Sequence, residues 1–429
     1  MKKINNEILL GVLEAGDYDR YLVLDNIFYN HEVKVVEDAD HYQSMFTSIE
    51  KSSVEYGNIL KKYSIESTAL DFNKICYFLP TLDNDLAHIE LLCAILETAV
   101  DHNFDVYVAG FASEKNSIKS RLLTELEKNG KIKIVCLEFS HLDVVSFIKW
   151  FCNSGISQLI VTSIPTLLVS FIEVFGSKMV TWFSMKFELN CFDKLINRMS
   201  FCGNGLFVDA KHGVTWLRNP PAIVGSQLEW KKRVVDNQIV RLISINREEK
   251  IRNPIFLEAV KSILKLNLNA QFYWTGRQCD KAIVEYFLAN DLSDRTHYIG
   301  WVNATQIISE YDIFLDTPNL SGSIAAKAFA SGMPVATFEN SQSWIDFYKD
   351  DISSEMEKLG EKNGVSMLLS EGVDSYVSHV TSLINNKNYY AFISKLEWYL
   401  GRVFFNNPSL MQKIHFENLR KIQEKIYEY

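Results

Sequence analysis

Asp312-Ile-Phe-Leu-Asp-Thr-Pro-Asn-Leu-Ser-Gly-Ser-Ile-Ala-Ala-Lys-Ala-Phe-Ala-Ser-Gly-Met-Pro-Val-Ala-Thr-Phe338 reads as a buried strand, a loop, a short helix of small residues and a second buried strand. Pro318 and Gly322 punctuate the loop, and Gly332-Met-Pro334 makes the turn into the second strand. Ser321, Gly322 and Ser323 fall where loop becomes helix. Free backbone N–H groups and the positive end of the helix dipole meet there, which suits a phosphate. Strand, helix and parallel strand in this order predict an α/β domain that binds a nucleotide.

The same rhythm extends outward in both directions. Upstream, Ile239-Val-Arg-Leu-Ile-Ser-Ile245 reads as a strand, and Pro254 to Lys265 as a helix opened by Asn253-Pro254. Ala270-Gln-Phe-Tyr-Trp274 is the next strand, followed by a helix from about Asp280 to Ala289 and an apolar run from Thr296 to Val302. Near Arg218-Asn-Pro-Pro221 the rhythm breaks, and the polar segment Gln227 to Asn237 reads as a linker. Before it lies a second series. Lys74-Ile-Cys-Tyr-Phe-Leu79 is a continuous apolar run ended by Pro80, as expected of a strand buried on both faces. Shorter runs recur at Phe104 to Ala109, Ile132 to Leu137, Gln158 to Thr162 and Met179 to Phe183, with helical stretches between them. Residues 1–72 lack this alternation and read as a mostly helical extension. Two doubly wound Rossmann-like domains are therefore expected over 73–232 and 233–390, with C-terminal helices over 391–429.

A chain of 429 residues is long for one core, which agrees with two domains. A net charge of −9 leaves no basic stripe to neutralise nucleic-acid phosphates. The seven cysteines are scattered through apolar segments without C-x-x-C spacing and read as reduced core residues, not a disulfide frame or a zinc site. Met1-Lys-Lys-Ile-Asn-Asn-Glu turns polar at once, unlike a signal peptide, and no apolar run approaches the roughly 20 residues of a membrane span. The expectation is a cytoplasmic protein, with peripheral attachment to the inner membrane face left open. There is no H-E-x-x-H, no P-loop, no G-x-S-x-G and no G-x-G-x-x-G after the first strand.

Paired doubly wound domains bind ligands at the carboxyl ends of their strands. Arg247 and Lys250 follow the strand ending at Ile245 and could converge on a diphosphate, Arg as a planar fork and Lys as a point charge. A solvated turn paired to Glu248 or Glu249 is the plainer alternative. Gly276 allows close backbone approach at the next strand end, and Arg277 beside it could reach a phosphate. Gly300-Trp301-Val302 offers backbone groups to the edge of a base, although an aromatic in an apolar run is more often core. In the first domain, Asp83, Asp85 and His88 follow the first strand and are candidates for a general base. The helix dipole favours a neutral imidazole at His88, while Asp85 reads equally as an N-cap.

Taken together, the segment from Ile243 to Phe338 resembles the donor-binding half of GT-B-fold glycosyltransferases, of the group 1 and O-GlcNAc-transferase-like kinds. The pieces that carry the resemblance are Ile245-Asn-Arg-Glu-Glu-Lys250, Trp274-Thr-Gly-Arg277, Tyr298-Ile-Gly-Trp-Val302, Asp312-Ile-Phe-Leu-Asp316 and Ala328-Phe-Ala-Ser-Gly-Met-Pro-Val335. The N-terminal half matches in rhythm, and the final helix is similar to the one that crosses back onto the N-terminal domain in this fold. The resemblance implies transfer of a sugar from a nucleotide-sugar co-substrate, UDP-linked by preference, to a glycan, lipid-linked glycan or protein. The first domain would take the acceptor and the second the donor. Arg247 and Lys250 would touch the diphosphate, Ser321 to Ser323 the phosphate oxygens, and Trp301 and Val302 the base, with neither metal nor separate cofactor. Lys327 stands where retaining members carry a glutamate that holds the ribose, and Asn319 roughly where they carry another. An inverting enzyme would use a base such as His88 or Asp85. Two other readings stay open: a non-catalytic GT-B-like partner of a glycosyltransferase, and a sugar-nucleotide epimerase.

Overall fold

The computed structural model describes residues 4–28, 50–65, 69–83, 87–112, 120–162, 165–176, 179–184, 205–207, 217–218, 239–303, 307–318, 323–338, 345, 349–360, 367–405 and 407–427. Contacts divide the chain into two compact units. One comprises Met1–Asn219 with Ser409–Tyr429, the other Pro220–Pro408.

The first unit is built on a sheet of seven strands: β1 (Asp71–Leu79), β2 (Asp105–Phe111), β3 (Lys133–Leu137), β4 (Ile156–Thr162), β5 (Val180–Ser184), β6 (Gly205–Phe207) and β7 (Leu217–Arg218). Their order is β3-β2-β1-β4-β5-β6-β7. The first five run parallel; β6 pairs antiparallel with β5, and β7 antiparallel with β6. The sequence reading stops at β5, because strands of three and two residues are too short to display a period. In β1, Ile75 to Leu79 are wholly buried, and the two-residue alternation sends neighbours to opposite faces. Phe78 meets Phe147 and Phe171 on helices His141–Asn153 and Pro165–Phe175. Tyr77 meets His415 on helix Pro408–Tyr427, which lies on the other face. The polar residues inside β4 donate within the sheet: Ser157 Oγ to the Lys74 carbonyl, Thr162 Oγ1 to the Phe78 carbonyl and Gln158 Nε2 to Thr181 Oγ1.

The segment ahead of β1 forms helices Asn6–Glu14, Tyr18–Phe28 and Glu50–Lys61. The last of them lies against helix Pro165–Phe175 so closely that a Cβ on Gly57 would fall 2.7 Å from Glu173 Cβ and 3.0 Å from Ser170 Cα. Ser170 Oγ donates to the Ser53 carbonyl across that contact, 2.8 Å. Asp19 accepts from the His141 N–H at 2.6 Å, which caps the helix beneath. The extension is thus a third layer on the sheet.

Helix Pro408–Tyr427 docks through Arg420, whose guanidinium donates to Asn73 Oδ1 and to the Phe72 and Asn103 carbonyls and lies over the Phe104 ring. His415 is wholly buried beside Tyr77, its Nε2 2.6 Å from the hydroxyl. Burial, helped by the nearby His102, holds its pKa down at about 3. The unfolded chain takes up this proton near pH 6.5, as an ordinary imidazole does, whereas the native state resists it to about pH 3. Stability of the first unit therefore falls as pH drops from 6.5 towards 3, by an amount on the order of a few kcal/mol. Denaturant midpoints at pH 7 and pH 4.5 check this, with His415→Gln expected to flatten the dependence. An equally steep loss in that variant would refute the assignment.

The second unit carries β8 (Val240–Ser244), β9 (Ala270–Trp274), β10 (Thr296–Tyr298), β11 (Ile313–Leu315), β12 (Val335–Phe338) and β13 (Leu369–Ser370), all parallel, in the order β10-β9-β8-β11-β12-β13. This is the doubly wound arrangement in which two βαβ series leave the central strand in opposite directions. Asn253 caps helix Pro254–Leu266 by accepting from Ile255 N–H and Phe256 N–H. The core lies between that helix, helix Val373–Asn385 and the sheet, where the Phe338 ring stacks on Tyr376 at 4.1 Å and 9°. β10 is shorter than the apolar run suggests. The chain leaves the sheet after Ile299 N–H bonds the Trp274 carbonyl, and Gly300 takes φ +78°. Helix Lys387–Leu400, which the sequence reading groups with the C-terminal tail, belongs to this unit, and the first unit resumes at Ser409.

Candidate functional site

In a doubly wound sheet the crevice for ligand lies beyond the carboxyl ends of the two strands where the winding reverses. In the second unit these are β8 and β11. The residues that follow them are Ile245, Asn246 and Arg247 on one side and Asp316, Thr317 and Pro318 on the other. Two of the sequence-predicted segments therefore meet at the switch point of one sheet.

On the β8 side, Arg247 takes an extended conformation and starts the short helix Glu248–Ile251, with its carbonyl accepting from Lys250 N–H at 3.0 Å. Both side chains are half-buried. Burial pushes the Arg247 pKa below its ordinary value; Glu249 opposes this, Arg277 adds to it, and Glu248 opposes it. Arg277 thus lies near enough for the two like charges to act on each other. An anion placed between them would relieve that repulsion.

The loop after β9 is knitted to the loop after β8. Thr275 N–H donates to the Ser244 carbonyl at 3.2 Å and Thr275 Oγ1 to the Asn246 carbonyl at 3.0 Å. Arg277 N–H donates to Glu248 Oε2 at 2.9 Å, and Tyr298 OH to the Gly276 carbonyl at 3.0 Å. Gly276 is buried and Arg277 exposed. The close approach that Gly276 permits is taken by a protein carboxylate, since a Cβ there would lie 3.0 Å from Glu248 Oε2.

Trp301 departs from the plainer sequence reading. It is 71% exposed, not core. The turn at Gly300 swings it out of the sheet, beyond the carboxyl end of β10, and Val302 beside it is half-buried. An indole face presented to solvent at a strand end can stack on a planar ligand.

On the β11 side, Asp316 is wholly buried, and its Oδ1 accepts from Thr317 N–H at 3.0 Å. Tyr376 OH donates to the Asp316 carbonyl, 3.0 Å, and Tyr390 OH to the Asp312 carbonyl, 2.8 Å. Thr317 is 1% exposed and its Oγ1 has no hydrogen-bond partner among the described residues, an uncommon state for a buried hydroxyl. Helix Ser323–Ala330 follows. Ser321 and Gly322 lie outside the described residues, as does the side chain of Ser323. Lys327 is half-buried on this helix, among the buried Ala325, Ala326, Ala328, Phe329 and Ala330.

Gly332-Met-Pro334 closes the helix. Gly332, at φ +74°, donates from its N–H to the Phe329 carbonyl and Met333 N–H donates to Ala328, so the turn closes the helix C-terminus. Two residues of helix Lys387–Leu400 hold it: Ser394 Oγ donates to the Gly332 carbonyl at 2.5 Å, and the Glu397 carboxyl accepts from Val335 N–H at 3.0 Å. Burial drives the Glu397 carboxyl well above the usual carboxylate range.

In the first unit, His88 stands in the first turn of helix Ala87–Leu96, with its side chain outside what the structure describes. Asp85 lies outside the described residues. Asp83 is half-buried, its N–H bonded to Thr81 Oγ1 at 3.2 Å. Glu248, Asp316 and Thr317 are candidate site residues that sequence reading passes over. An acid directly after an apolar strand, as in Leu315-Asp316, is the one signal that was available.

No protein-family model and no curated protein matches the chain. Among solved structures it is similar to an O-GlcNAc transferase mutant from Thermobaculum terrenum, at 15% identity and TM-score 0.55, over 98% of this chain and 81% of that one. It is also similar to TarM of S. aureus, solved with UDP, alpha-GlcNAc-glycerol and fondaparinux, at 10% identity and TM-score 0.50, over 81% and 99% of the two chains. A third match is the lipopolysaccharide outer core galactosyltransferase WaaB, at 12% identity and TM-score 0.50, over 81% and 98%. These likenesses establish the fold, which is that of GT-B glycosyltransferases.

Proposed function

We propose that a chain with the GT-B fold and this site is a glycosyltransferase that takes a sugar from a nucleotide-sugar donor, UDP-linked, bound at the carboxyl edge of the second sheet. One observation carries the reading: the Arg277 main chain, at the end of β9, is held by Glu248 next to Arg247 at the end of β8, close enough for the two like charges to act on each other, with Lys250 a turn away. In the proposed complex these cations and the start of helix Ser323–Ala330 neutralise the leaving diphosphate, a task that requires no metal. Trp301 stacks on the base, and Thr317 Oγ1 gains the partner it lacks among the described residues. The fold neighbours solved with or named for sugar transfer support the same reading. The acceptor is a glycan, lipid-linked glycan or protein, and His88 or Asp85 serves as base if the reaction inverts. Among the described residues no helix is long and apolar enough to cross a membrane.

Isothermal titration with UDP and other nucleotides tests the donor site. Binding of UDP at micromolar to sub-millimolar concentration is expected, and none at millimolar concentration would sink the proposal. Released nucleotide diphosphate from a panel of nucleotide-sugars then reports turnover. The half-buried Lys327, on a helix without acidic residues, favours a second reading, that of a nucleotide-binding partner subunit without activity of its own. UDP binding without release from any donor and acceptor would select it.

A further inference from the structure

We infer that Glu248 is a positioning residue of the donor site, holding the Arg277 main chain so that Arg247 and Arg277 face one anion. The inference rests on the donor-site reading given above. Glu248 is 5% exposed although it sits in the first turn of a four-residue helix at a strand end. A carboxylate in that setting would ordinarily turn to water, and burial costs it solvation unless it is hydrogen-bonded. Here Oε2 accepts from the Arg277 N–H at 2.9 Å. Gly276 makes room for it: a Cβ would lie 3.0 Å from Oε2, 3.3 Å from Glu248 Cβ and 3.2 Å from the Gln278 carbonyl.

The consequence is geometric. Main-chain bonds and the Thr275 hydroxyl fix one side of the β9 loop to β8, and Tyr298 fixes the Gly276 carbonyl to β10. Tyr298 thus holds the carbonyl of the Gly276–Arg277 peptide, and among the described residues the Glu248 carboxylate holds its N–H. Its negative charge also opposes the repulsion between the two guanidiniums before ligand arrives. Glu248 touches neither sugar nor phosphate in this scheme. It acts through Arg277, so its loss should weaken donor binding and leave the chemical step alone.

Three measurements on the full chain test this: hydrogen exchange of the Arg277 amide in ligand-free protein, the dissociation constant for UDP, and steady-state kinetics. Glu248→Ala should accelerate that exchange and raise the UDP Kd and the donor KM by about tenfold or more, as loss of a hydrogen bond to a charged group implies, with kcat within about twofold. Glu248→Gln retains an acceptor oxygen and should restore most of the affinity. If Glu248→Ala does not fold, Gly276→Ala approaches from the other side, and its Cβ should displace the carboxylate with the same rise in Kd. Unchanged exchange in the variants would overturn the latch. Accelerated exchange with unchanged Kd would overturn its positioning role. Wild-type protein that binds no UDP would sink the donor-site reading and the positioning role with it, while the exchange arm still decides the latch.

Discussion

Lys250→Ala is expected to lower kcat about a hundredfold or more while the protein stays folded. The ammonium stands one turn from Arg247 at the reversal point of the sheet, where the leaving diphosphate would sit. Removing a preorganised positive group from developing negative charge costs about two to three orders of magnitude in comparable sites. The structural cost should be small, because Lys250 is only half-buried and its helix runs four residues. Arg247→Lys is the companion test. A point charge cannot reproduce the planar fork, so donor affinity should fall even though the charge is kept. Circular-dichroism melts establish folding, and release of UDP from the active donor gives kcat. Turnover within threefold of wild type in Lys250→Ala would remove this lysine from the mechanism.

Gly401→Val should be the most damaging single change to the second unit. A Cβ at Gly401 would lie 2.5 Å from Ala330 Cα and 2.9 Å from Ala330 Cβ, and the obstacle is helix backbone that cannot rotate away. Gly401 has ordinary helical dihedrals, φ −58° and ψ −40°, so the requirement is for space and not for conformation. The penalty of overpacking is typically about 1–3 kcal/mol, and more when backbone must shift. Here the shift would separate helix Ser323–Ala330 from the segment that also supplies Ser394 and Glu397 to the Gly332 turn. Since that helix opens toward the proposed phosphates, UDP affinity should fall together with stability. Thermal melts and titration on the same variant check both. A Tm within two degrees of wild type would show that the two helices can part at little cost.

Sequence patterning reached the strands because a strand covered on both faces has to be apolar throughout. Ile75 to Leu79 of β1, Leu159 to Val161 of β4 and Ile313 to Leu315 of β11 are such runs, and the spacing of the strands implied helices between them. Arg247, Lys250, Gly276 and Arg277 could be picked out because they immediately follow strands. Glu248 could not. Beside Glu249 and Lys250 it reads as one more charge on a solvated turn, and only the fold shows it facing inward. Trp301 misleads in the opposite sense, since an apolar neighbourhood in sequence cannot show that Gly300 turns the ring out to solvent.

The stretch from Asp312 to Phe338 by itself determined two parallel strands joined by a small-residue helix, because apolar runs, glycine and proline act locally on the backbone. What its residues do was settled by other parts of the chain. The Gly332 turn is tied to Ser394 and Glu397 about sixty residues later. The small residues of the helix are small at one end because Gly401 lies against Ala330. Such partnerships depend on distances of a few ångströms between segments remote in sequence. Local pattern carries no term for them, and only the packed structure decides them.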